Sequence, residues 1–64
     1  MSTTSRFYLS QADECARAAA ETKLDNVRER NLRSEAAWRS MADRLMRAEE
    51  MRDSLAAEKA AAVS

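Results

Sequence analysis

Between Arg6 and about Lys23, apolar and polar positions separate at helical spacing. Tyr8, Ala12, Cys15, Ala19 and Thr22 share one face, while Arg6, Ser10, Asp13, Glu14, Arg17 and Glu21 fill the other. The apolar face is built mostly of small side chains. Such a face lets a second helix approach closely but buries little area per residue, at roughly 25 cal/mol per Å². A second helical pattern starts near Asn26 and runs to about Glu58. Val27, Trp38, Met41, Leu45 and Ala48 lie on one face, flanked by Leu24, Ala37, Ala42 and Met46. Asn31 and Ser34 interrupt that face with polar groups. They need a partner such as Thr22, Cys15, the Trp38 indole or a second subunit, because an unsatisfied buried group costs roughly 1–3 kcal/mol.

The two patterns meet at "TKLDN". Asp25 is the best interior cap, with a carboxylate suited to the free amides of Val27 or Arg28. Near the start of the chain, Thr4 or Ser5 is the expected cap. The expected organisation is therefore a polar leader over 1–5, a helix over 6–23, a turn at 24–25 and a long helix over 26–58. An Ala-rich tail over 59–64 has little to bury and is expected to fray. One continuous helix through Leu24 stays open, because no Gly or Pro forbids it. Small-to-large complementarity favours folding back: Ala12 falls near Ala37 and Trp38, and Tyr8 near Met41. The expected fold is all-α, a two-helix antiparallel hairpin with a long second helix. Its expected core is Tyr8, Ala12, Cys15, Ala19, Val27, Trp38, Met41 and Leu45. Helix one then runs out opposite Leu45, leaving Met46, Met51 and Leu55 free to reach a partner.

Composition supports this reading. The chain has 64 residues, with no Gly and no Pro. A chain this short is marginal as a lone monomer, so the hairpin is expected to self-associate into a helical bundle. Charge is balanced, with 11 basic and 11 acidic residues, which provides no global pull toward nucleic acid or anionic membrane. No run approaches the roughly 20 apolar residues of a membrane span, and no apolar signal segment is visible. The lone Cys15 allows no internal disulfide and fits a reducing compartment. A cytoplasmic location is expected.

"YLSQADEC" and "VRERNLRSEAAWRSMA" resemble a group of small, uncharacterised alphaproteobacterial helical-hairpin proteins. The resemblance is carried by Tyr8, Ala12, Cys15, Val27, Arg28, Leu32, Trp38, Met41 and Ala42, and covers about Phe7 to Arg47. It implies a helical hairpin and no particular activity. The chain departs from that pattern at Asn31, Ser34 and Glu35, where relatives more often carry apolar or small residues, and it lacks their loop proline.

Little catalytic chemistry has a basis here. There is no His, which removes the usual general base, the usual metal ligand and any Cys–His pair. Without Gly, a phosphate-cradling loop has no basis. Neighbouring carboxylates such as Asp13–Glu14 and Glu49–Glu50 do not converge on a helix. No enzyme activity, metal or cofactor is expected. The one unusual feature is nine Arg against two Lys. Arg30, Arg33, Arg44 and Arg47 fall within about a 100° arc of helix two. Three acid-first i,i+4 pairs, Glu29–Arg33, Glu35–Arg39 and Asp43–Arg47, are expected to brace that helix. The expected function is a structural or protein-interaction module whose partner is itself or another protein. The alternative is a nucleic-acid-associated regulator that uses the arginine stripe; zero net charge weighs against it.

Overall fold

A computed structural model describes residues 1–63. It contains two helices, α1 over Thr3–Glu21 and α2 over Asp25–Val63, folded back on each other as a hairpin. At 1.5 Å per residue these span roughly 28 and 58 Å, and the molecule measures 60 × 15 × 12 Å. Helix α1 can therefore cover only about half of α2.

Helix α1 begins earlier than expected. Ser2 is its cap, with Oγ accepting from the Ser5 N–H at 3.1 Å. Ser2's carbonyl accepts from the Arg6 N–H at 3.1 Å. Thr4 and Ser5 lie inside the helix and not at its cap. At the other end Thr22 turns extended, and its N–H donates to the Ala18 carbonyl at 3.2 Å. The link over 22–24 needs no glycine, because no described residue has positive φ.

The link is closed by a residue the sequence pattern did not single out for it. The Arg28 guanidinium donates to the carbonyls of Ala19 (3.3 Å) and Thr22 (2.8 Å) and pairs with Asp25 Oδ1 at 3.0 Å. It satisfies carbonyls that a helix C-terminus leaves without intrahelical partners, a task often served by a C-terminal glycine. Asp25 accordingly holds Arg28's side chain and does not take the amides of Val27 or Arg28. Val27's N–H instead donates to Asn26 Oδ1.

Burial follows a seven-residue rhythm. Along α1 the buried or half-buried line is Ser5, Tyr8, Ala12, Cys15 and Ala19; along α2 it is Arg28, Asn31, Glu35, Trp38, Ala42, Leu45 and Glu49. Steps of three and four alternate, which keeps one seam facing its neighbour along the whole contact. Ala12 and Ala42 are fully enclosed and Ala19 nearly so, so the backbones approach closely. The expected core is corrected at one position: Met41 is 37% exposed, and Ala42 beside it is buried. A 3.6-residue period drifts onto Met41 and Ala48, whereas the 3.5-residue seam selects Ala42 and Glu49. Tyr8, Cys15, Val27, Trp38 and Leu45 are half-buried.

At its far end α2 continues as helix through Val63, past the expected stop at Glu58. Intrinsic propensity accounts for this: "AAEKAAA" is made of the strongest helix formers.

Candidate interaction surface

Three local constructions decide which part of α2 remains exposed. The first is an aromatic cluster. Phe7 stands edge-on to Trp38, with centroids 5.9 Å apart and planes at 89°, and Tyr8 lies 5.7 Å from Trp38. Tyr8 thus meets Trp38 one turn before the expected neighbour, Met41. Phe7 was not expected in this role; the residue is 52% exposed. The indole N–H makes no bond to Asn31 or Ser34. Asn31 instead donates to the Val27 carbonyl of its own helix at 3.0 Å, and no buried side-chain polar atom lacks a partner among the described residues.

The second construction bridges the middle of the hairpin. Arg39 pairs with Glu35 at 2.8 Å and with Asp13 of α1 at 3.2 Å. The Glu35 hydrogen bond, then the one to Asp13, holds the guanidinium's pKa above its ordinary value. Of the three expected i,i+4 pairs, Glu35–Arg39 forms; Glu29–Arg33 and Asp43–Arg47 do not. An exposed pair of this kind contributes little by itself, and Arg39 has an additional partner in Asp13.

The third construction marks the end of α1. Ser5 is fully buried, and its hydroxyl donates to Glu49 Oε1 at 3.0 Å. The Ser2 hydroxyl, with further hydrogen bonds from Ser5's hydroxyl and Ser2's N–H, holds the Glu49 carboxyl below its ordinary range against an opposing desolvation effect. Residues 1–5 are therefore not a detached leader. Met46, close by on α2, is half-buried. Met1, Met46, Glu49, Glu50 and Asp53 line a recess of about 200 Å³ at this end. The expected overhang shortens accordingly: Met46 belongs to the hairpin, and the exposed length starts near Glu50.

Beyond that point residues 50–62 are all exposed, with Met51 at 67% and Leu55 at 54%. An open groove of about 530 Å³ runs along them, lined by Arg47, Glu50, Met51, Ser54, Leu55 and Glu58. The four arginines of the stripe are also exposed, and none makes an ion pair among the described residues. At 100° per residue, Arg30, Arg33, Arg44 and Arg47 share a side of α2 with Met51 and Leu55. The arginine stripe and the apolar overhang are thus one face. No three His, Cys, Asp or Glu side chains converge among the described residues. Cys15 is a free thiol, half-buried on the α1 seam. No helix is long and apolar enough to cross a membrane.

No protein-family profile matches the chain. No significant similarity appears to a curated protein or to a solved structure.

Proposed function

We propose that this protein is a non-enzymatic interaction module that works by presenting the exposed half of α2 to another helix, with a second copy of itself as the favoured partner. The observation that carries this reading is the exposure of Met51 and Leu55 on a helix roughly twice as long as the one that covers it. A helix in a protein gains most of its stability from packing one face against a neighbour. The thin, alanine-lined hairpin adds to the case, because short chains commonly complete their core by oligomerising. The test replaces Met51 and Leu55 together by Asp and follows mass by light scattering and helicity by circular dichroism. The expected result is a helical wild-type assembly and a smaller species in the variant. Equal masses for both would overturn the reading.

The four exposed arginines, without an ion pair among the described residues, support a second reading, in which the stripe grips a nucleic-acid backbone. It predicts binding that falls steeply with salt and is lost when Arg30, Arg33, Arg44 and Arg47 are changed to Glu.

A further inference from the structure

We infer that two copies pair antiparallel along a second seam of α2, formed by Met41, Arg44, Ala48, Met51, Leu55, Glu58 and Ala62. The inference rests on the self-association reading above and gives it a geometry. These positions again alternate steps of three and four, and all are exposed. They are the α1-facing seam displaced by one residue, about 100° around the helix, so a second copy can dock beside α1 without displacing it.

Charge decides the orientation. Residues 26–48 carry six arginines against Glu29, Glu35 and Asp43, a net +3. Residues 49–64 carry Glu49, Glu50, Asp53 and Glu58 against Arg52 and Lys59, a net −2. Parallel, in-register pairing would set Arg44 against Arg44 and Glu58 against Glu58. Antiparallel pairing that opposes Ala48 to Met51 of the second copy puts Glu58 opposite the second copy's Met41, one turn from its Arg44. Helical side chains lean toward their own N-terminus, which carries that Arg44 toward Glu58. The pair occurs twice by symmetry. Neither Arg44 nor Glu58 has an ion-pair partner among the described residues. In the same register small faces large, Ala48 against Met51, and Arg52 lies across from Leu45 and not from another arginine.

The test is a charge swap with a distance. Arg44→Glu and Glu58→Arg are each expected to weaken the dimer about tenfold, and the double variant to restore it, since each single change sets like charges at two symmetric contacts. Circular dichroism checks that the hairpin persists in each. A spin label at Ala62→Cys, in a Cys15→Ser background, is expected to lie about 37 Å from its mate when antiparallel, from 25 residues at 1.5 Å rise. Labels in close contact, or a double variant no better than the singles, would overturn this seam while leaving self-association intact. A wild-type chain that stays monomeric at every concentration would remove the underlying reading as well.

Discussion

Replacing Trp38 by Ala should remove much of what holds the hairpin together. Trp38 is the meeting point of three rings: Phe7 stands edge-on at 5.9 Å, and Tyr8 lies at 5.7 Å. Truncating a fully buried aromatic costs about 3–5 kcal/mol. Trp38 is half-buried, so about half of that applies, roughly 2 kcal/mol. That figure already includes ring contacts; two of them place this site toward the upper side, an expected loss of about 2–3 kcal/mol. A 64-residue chain has only about 3–10 kcal/mol in total at 0.05–0.15 per residue. The melting temperature should therefore fall by about 10–20 °C, at 4–8 °C per kcal/mol. The assay is thermal and urea unfolding followed by far-ultraviolet circular dichroism, at one low protein concentration. Leu32→Ala, at an exposed position, is the control and should shift stability by less than about 0.5 kcal/mol. A Trp38→Ala variant that melts with its control would refute the argument that the aromatic cluster fastens α1 to α2.

Other expectations follow from the same contacts. Ala12→Leu should destabilise by about 1–3 kcal/mol, because its site is fully enclosed and extra methylenes force the helices apart; a urea melt matching wild type would show the backbones are not in close approach. Arg28→Ala should cost about 1–2 kcal/mol and speed amide exchange around Thr22, since two carbonyls lose a charged donor; Arg28→Lys should recover only part of this, lacking the planar fork. Glu49 carries a lowered pKa, so its contribution is present above the ordinary value of 4.5 and is lost as pH falls through the lowered folded value. Amide protection in the first turn of α1 should therefore decline on acidification in wild type. It should lose that step in Glu49→Gln, and identical pH profiles would contradict the link.

The helical class, the fold-back and most of its inner face were legible in the residues. Ala12, Ala19 and Trp38 stand at helical spacings, and the lack of Gly and Pro argues against hairpin turns between strands; that same lack left one continuous helix open, and only small-to-large complementarity favoured the fold-back. The exact seam was less legible. Over α1 the periods 3.5 and 3.6 select the same residues, but over the longer α2 they diverge, and Met41 was chosen where Ala42 is buried. Ser5 was read as leader because a serine before a helix resembles a cap. Its seven-residue spacing to Ala12 and Ala19 was the available signal that it continues the buried line. The Arg28 clamp could not be read from pattern, because it joins side chain to backbone across the link. Phe7 lies off the α1 seam, and the placement of Trp38 gives it a partner on α2.

Sedimentation equilibrium of the wild-type chain over a wide concentration range, with helicity followed in parallel, tests the central claim most directly. The account predicts a mass that rises from the 7.2 kDa of one chain to twice that value or a higher whole multiple. The melting temperature should rise with it, as linkage between folding and assembly requires. A stable helical monomer of unchanging mass and melting temperature would contradict it.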